Sequence, residues 1–227
     1  MMKATQRGEI GIVIGSESFE PYSSKSEDVA AAERLTDFLI GWILDPVVYG
    51  DYPKIMRDLV GNRLPNFTED EKNMVAGSTD FIGINYYTSH FAKHETNKTN
   101  ISLTDNYDAL GRSDDFNAEG KTLGYLVRQS FQKSVVGIAS FNITNPLIDM
   151  HRIKYLATHL NYTKAAIDDG VRVGGYFVWA AFDTFEFRAG FSRNWGIIHV
   201  DFNNNLTRCT TVAGKWYKRF LNHVIPH

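Results

Sequence analysis

Two rhythms of apolar residues divide the chain. Compact β-branched or aromatic runs predict strands at Glu9–Ile14, at Phe81–Tyr87 and in the stretch that opens with Gly174-Gly175 and runs to Phe187, with a shorter strand at Gly196–Val200. Gly15 and Ser16 are expected to end the first strand, leaving Glu17 and Glu20 at its exit before Pro21. Between the strands, apolar residues recur at helical spacing. Ser26 is placed to cap one helix, Glu27 and Asp28 suit its first turn, and Ala31, Leu35, Phe38, Leu39 and Trp42 line one face, with Asp45-Pro46 as the stop. On this pattern Trp42 is core. Ile55, Met56, Leu59 and Val60 mark a shorter helix, and Thr68-Glu69-Asp70-Glu71 opens another with a cap followed by acids.

The second half follows the same alternation. Asp149–Asp169 reads as a long helix with a stripe of Met150, Ile153, Leu156, Leu160 and Ile167, closed by Gly170. His151 and His159 lie off that stripe and read as solvated, with no third ligand nearby for a metal. Asn203-Asn204-Asn205 predicts a turn, and Val212–Val224 a closing helix with Val212, Trp216 and Phe220 on one face. From His90 to about Lys133 the chain is polar and irregular, which suits a functional rim or a mobile insert. Strands alternating with helices, and buried on both faces, predict an α/β fold with parallel strands.

The stretch Gly174–Phe187 carries the most chemistry. Its strand is expected to present Trp179, Asp183 and Glu186 where it gives out. An aromatic face beside carboxylates suits a sugar: the ring stacks on the apolar side of a pyranose and the carboxylates accept from its hydroxyls. The same residues equally suit a buried strand whose Trp is core and whose acids cap the next turn. Glu17 and Glu20 form a second pair of acids with acid–base potential, though solvated loop acids explain them as well.

These residues carry a family resemblance. Tyr176–Phe187, continuing into Gly190-Phe191 and Trp195-Gly196-Ile197, resembles the "YFAWSLLDNFEW…SGY…RFGI" signature of glycoside hydrolase family 1, in particular the plant β-glucosidases. Asp37–Pro53 resembles the family's "DF.LGWF.DPL..GDYP" run, Ile12–Tyr22 its fifth barrel strand and exit, and Asp80–Thr88 its sixth strand. The resemblance implies an incomplete (β/α)8 barrel in one domain over residues 1–227, holding roughly the fifth, sixth and eighth βα units with the seventh strand region shortened. It implies substrate-binding roles for Trp179 as the stacking ring, for Glu186 as partner of the outer glucose hydroxyls, and for Asn85 and Tyr87 beside the catalytic carboxylates. Phe187 takes the place of a Trp whose indole N–H donates to the sugar, and Glu17-Ser18 take the place of a His-Trp pair.

Retaining glycosidases need two carboxylates roughly 5–5.5 Å apart. The family holds its acid/base in "T.NEP" and its nucleophile in "TENG". Neither Asn-Glu-Pro nor Thr-Glu-Asn-Gly occurs in the chain; the nearest string is Phe19-Glu20-Pro21. The implied chain is therefore β-glucosidase-like and catalytically dead, a pseudoenzyme with no catalytic residue of its own. Two alternatives stay open: an interaction protein that modulates a full-length homologue, and a residual sugar-binding module for glucose or a β-glucoside. A fourth reading relocates the carboxylates to Asp183 and Glu186, or to Glu17 and Glu20; each pair is close in sequence, which disfavours it.

Composition narrows the partners further. The chain has 227 residues, 43% of them hydrophobic, and a formal net charge of −2. That balance, without a basic block, gives no support to a nucleic-acid partner. Cys209 is the only cysteine, so an intrachain disulfide and a multi-cysteine zinc site are excluded, and no cofactor is implied. No apolar run approaches a membrane span, and Met1–Gly8 lacks an apolar signal core, so the chain as it stands is expected in the cytosol. Sequons at Asn66, Asn97, Asn100, Asn142, Asn161 and Asn205 read as chance in an Asn- and Thr-rich sequence, or as an echo of secretory or vacuolar relatives.

Overall fold

The computed structural model describes residues 8–97, 107–114, 118–119, 145–187 and 189–224. The chain divides into two compact units, Met1–Leu123 and Gly124–His227. In the first, β1 (Gly11–Pro21) runs parallel to β2 (Phe81–His94), with Gly11 opposite Phe81 and Ile14 opposite Ile84. Parallel pairing requires a crossover, and the helices between the strands supply it. β3 (Gly111–Asp114) adds antiparallel to the far part of β2, inside a segment expected to be irregular. The region expected to hold a shortened seventh strand, and most of the rest of that segment, lie outside the described residues.

Both strands outrun their expected ends. β1 continues past Gly15-Ser16 to Pro21 because its polar residues find partners across the ladder: Ser18 Oγ meets Ser89 Oγ at 2.5 Å, and the Tyr86 hydroxyl meets Ser89 as well. Glu17 and Glu20 therefore sit within the strand rather than at its exit. Three residues apart in a strand, they face opposite sides of the sheet. Asn85, Tyr86 and Tyr87 likewise lie mid-strand. There the register passes from Ser16 opposite Tyr86 to Glu17 opposite Thr88, skipping Tyr87, a bulge of the kind that re-aims side chains.

α1 (Ser26–Thr36) begins one residue earlier than capping by Ser26 predicts, with Lys25 at the cap and no side-chain cap bond. Asp28 does more than favour the helix dipole. It is buried, and accepts from Ser23 Oγ at 2.5 Å and from the His94 backbone N–H at 2.9 Å, tying the helix start to the end of β2. The helix then widens through Asp37–Gly41, where the N–H of Trp42 reaches Asp37 O, and resumes as α2 (Trp42–Tyr49), which ends at Gly50 with φ 83°.

This wide turn corrects two expectations. One extra residue rotates everything after it by about 100°. Ala31, Leu35 and Phe38 keep the buried stripe, whereas Trp42 leaves it and is 48% exposed. Pro46 does not stop the helix. It stands in the opening turns of the resumed ladder, where it costs a single hydrogen bond, and its ring is buried. α3 (Lys54–Val60) and α4 (Glu69–Val75) form as their patterns predict, and Thr68 with Glu71 closes a capping box. The core gathers Ala31, Leu35, Phe38, Met56, Leu64 and Ala92.

In the second unit, α5 (Met150–Asp168) precedes a hairpin of β4 (Ile198–Asp201) and β5 (Thr207–Thr210), followed by α6 (Val212–Val224). The Asn-rich turn is the hairpin's loop. Strand β5 was not predicted; all four of its residues are exposed, so no apolar pattern marks it. On α5 the buried residues are Arg152 and Leu156, while Met150 and Ile167 are exposed. His151 and His159 are half-buried rather than solvated. The His159 ring stacks on Tyr155 with centroids 3.9 Å apart, and its Nδ1 lies 2.8 Å from the Tyr155 carbonyl; residues four apart on a helix are neighbours. Among the described residues, no helix is long and apolar enough to cross a membrane.

The expected strand at Gly174–Trp179 does not form a ladder among the described residues. Pairing starts at Ala180, whose N–H donates to Trp195 O at 3.2 Å, and continues as Ile197 and Ile198 donate to Ala180 O and Ala181 O, both at 2.9 Å. A parallel strand depends on neighbours for its backbone bonds, and among the described residues only the segment around Trp195–Ile198 comes alongside.

Candidate functional site

Trp179 and Glu186 meet at the surface of the second unit. The Trp179 indole Nε1–H donates to Glu186 Oε1 at 3.3 Å, and 71% of Trp179 is exposed, so its ring is open to solvent. Glu186 is held by its backbone. It and Gly190 exchange both main-chain bonds, at 2.9 and 2.8 Å, and Gly190 takes φ 59° to close the turn. Phe191 supports the turn from one side, edge-on to Phe185 at 5.5 Å and against Phe202 at 4.6 Å. Phe187 is 93% exposed. An aromatic face with a fixed carboxylate at its rim can stack a pyranose and accept from its hydroxyls.

Asp183 is not part of this surface. Its side chain is fully buried and accepts four hydrogen bonds: from Asn194 Nδ2 at 2.8 Å, Gly196 N–H at 2.8 Å, His199 Nδ1 at 2.7 Å and Val200 N–H at 3.1 Å. A carboxylate so buried and so engaged is out of reach of a sugar, and a relocated Asp183–Glu186 pair does not form. Gly196 shows how tight the packing is: a Cβ there would strike the backbone of Phe182 and Asp183, and Ile198 O at 2.6 Å.

A second buried pair adjoins Asp183. Asp149 lies 3.2 Å from Arg152 and accepts from the Ala213 N–H at 2.7 Å, while Arg152 donates to Gly196 O at 2.6 Å and Asn194 O at 2.8 Å. Burial pushes the Arg152 guanidinium down from its ordinary value, against the opposing pull of Asp149 and Asp183. These groups line a cavity of about 220 Å³ with His151, Ser192 and Thr211. Burial also raises the Tyr176 phenol to about 12, with Tyr217 adding to the shift.

The predicted site residues fall in both units. Asn85 and Tyr87 belong to the first, where Asn85 is exposed on β2 and the Tyr87 side chain lies outside the described residues. Trp179, Glu186 and Phe187 belong to the second, and Trp179 and Glu186 are brought into contact. Glu17 lies 3.5 Å from His90, while Glu20 is exposed. The Arg152–Asp183–His199 cluster was missed. Its one sequence signal is Arg152 standing four residues before the buried Leu156, on the same helix face. Among the described residues no group of three His, Cys, Asp or Glu side chains could hold a metal.

The sequence model for Glycosyl hydrolase family 1 matches residues 1–224. The furostanol glycoside 26-O-β-glucosidase of Hellenia speciosa is 39% identical over 96% of this chain and 43% of its own length. A rice β-glucosidase crystal structure superposes with a TM-score of 0.80 at 35% identity, covering 95% of this chain and 52% of that one. A family 1 β-glucosidase from the fungus Humicola insolens, solved in complex with glucose, superposes with a TM-score of 0.82 at 28% identity, covering 97% of this chain and 52% of that one. The chain spans about half the length of the curated relatives it matches.

Proposed function

The chain belongs to glycosyl hydrolase family 1, and from that premise we propose that it holds glucose or a β-glucoside through Trp179 and Glu186 without hydrolysing it. One observation carries the reading: the exposed Trp179 ring and the Glu186 carboxylate are fixed together by a hydrogen bond of 3.3 Å. The absence of turnover rests on the sequence, which contains neither an Asn-Glu-Pro nor a Thr-Glu-Asn-Gly motif. A retaining glycosidase without a nucleophile cannot form its glycosyl-enzyme intermediate. Phe187, standing for a Trp, removes a further donor to the sugar, and a lost polar partner costs about 1–3 kcal/mol. Weak, sugar-specific binding follows. Titration with glucose, read by tryptophan emission, and an aryl β-glucoside assay on the same preparation test both halves. Turnover that survives stringent purification, or emission that never responds, overturns the reading.

A second reading is favoured by the sheet of the first unit. Val13 and Ile84 are exposed on it, and β1 pairs only with β2 among the described residues. An open parallel edge with apolar neighbours is a template for another chain, and a full-length homologue is the proposed partner. Mixing the two and finding neither a larger species nor altered homologue activity removes this reading.

A further inference from the structure

Six Asn-X-Ser/Thr sequons occur in the chain, where about two are expected by chance from its asparagine, serine and threonine content. We propose that two of them, Asn66 and Asn205, are N-glycosylation sites, and hence that the chain is a substrate for oligosaccharide transfer in a secretory compartment.

The fold presents both asparagines in the way a glycan requires. Asn205 stands in the loop of the β4–β5 hairpin, exposed, with φ 49°, and Leu206 follows with φ 56°. Two successive left-handed residues turn the chain sharply at this point. The turn is held by its neighbours: the backbone N–H and the hydroxyl of Thr207 both donate to Asn204 O, at 3.0 and 2.7 Å. Among the described residues no hydrogen bond engages the Asn205 amide, so a sugar on its Nδ2 displaces nothing.

Asn66 is exposed in the connection between α3 and α4. Arg57 Nη1 donates to its Oδ1 at 2.7 Å. That bond engages the amide oxygen and not Nδ2, the atom to which a glycan is joined. Thr68, the third residue of this sequon, caps α4 and holds the segment in place.

The covalent step balances with one co-reactant, a lipid-pyrophosphate-linked oligosaccharide. The Nδ2 nitrogen forms a bond to the anomeric carbon, the bond from that carbon to the pyrophosphate oxygen breaks, and the amide proton leaves with the lipid pyrophosphate. No oxidant or reductant is needed. The glycan at Asn205 would stand beside the exposed Leu206 and strand β5 and give them a hydrated cover.

The test is the intact mass and peptide map of the chain isolated from its own tissue, together with the full chain expressed behind a cleaved secretion signal in a eukaryotic host. Occupancy at Asn66 and Asn205 is expected, each converted to Asp by peptide N-glycosidase. Asn205→Gln and Asn66→Gln should each remove one glycan. Thr207→Ala should match Asn205→Gln, and Thr207→Ser should restore the modification, which separates sequon recognition from any effect on the hairpin. An unmodified mass from both sources overturns the proposal, as does a glycan pattern indifferent to Thr207→Ala. An empty Asn66 or Asn205 in both sources overturns the assignment of that site.

Discussion

The Trp179 indole donates to Oε1 of Glu186 at 3.3 Å, so ring and carboxylate form one unit at the rim of the second compact body. Removing either half should disable sugar binding by a different route. Glu186→Ala is expected to weaken glucose binding about tenfold while leaving an emission response, since one acceptor is worth about 1–3 kcal/mol. Trp179→Ala should abolish both binding and signal. Calorimetric titration of each variant checks this; an unchanged affinity in Glu186→Ala counts against the site.

Asp183 predicts the opposite behaviour. Its carboxylate satisfies four buried or half-buried donors, so Asp183→Ala strands several polar groups at once. A loss of about 3–5 kcal/mol in unfolding free energy is expected, against less than about 0.5 kcal/mol for Glu186→Ala at the surface. Urea titration of the two variants side by side separates the carboxylates.

The wide turn at Asp37–Gly41 makes a third contrast. Phe38 is buried and Trp42 is 48% exposed. Phe38→Ala should cost about 3–5 kcal/mol, whereas Trp42→Ala, which leaves no closed cavity, should cost less than about 1 kcal/mol. Equal losses would show that both rings share the core.

His159 gives the pH dependence. Burial holds its pKa below the ordinary 6.5, and the neighbouring Tyr155 carbonyl only partly offsets that. The unfolded chain therefore takes up the proton first as pH falls. Stability contributed by the neutral ring is complete above pH 6.5 and declines as the pH drops from there toward the lower folded-state value. His159→Gln should flatten this part of the stability–pH curve. An unchanged slope in that variant would place the titration elsewhere.

Elements whose partners are local were legible in the sequence. The capping box at Thr68–Glu71 involves four consecutive residues, and α6 begins and ends where its apolar face does. Trp179 and Glu186 stand only seven residues apart, yet no pattern in their stretch predicts the bond that joins them. The rest depended on distant partners. β1 extends to Pro21 only because Ser89 and its neighbours lie alongside, 71 residues on from Ser18. The exposure of Trp42 depends on one widened turn that no apolar period encodes. Asp183 looked like a sugar ligand because nothing in its own stretch reveals Gly196, His199 and Val200 as its donors.

The parallel pairing of β1 with β2 also sets an order of events at the ribosome. Gly11 finds its partner only at Phe81, and Pro21 only at Ala92. Until that second strand has emerged, the ladder between the two cannot form, and the bonds that β1 makes along it stay unmade. Contacts so far apart in sequence close slowly, and an unpaired apolar strand is open to capture by other nascent chains. Synthesis paused before residue 81 should therefore leave β1 bound to a holdase chaperone, and release past residue 92 should free it.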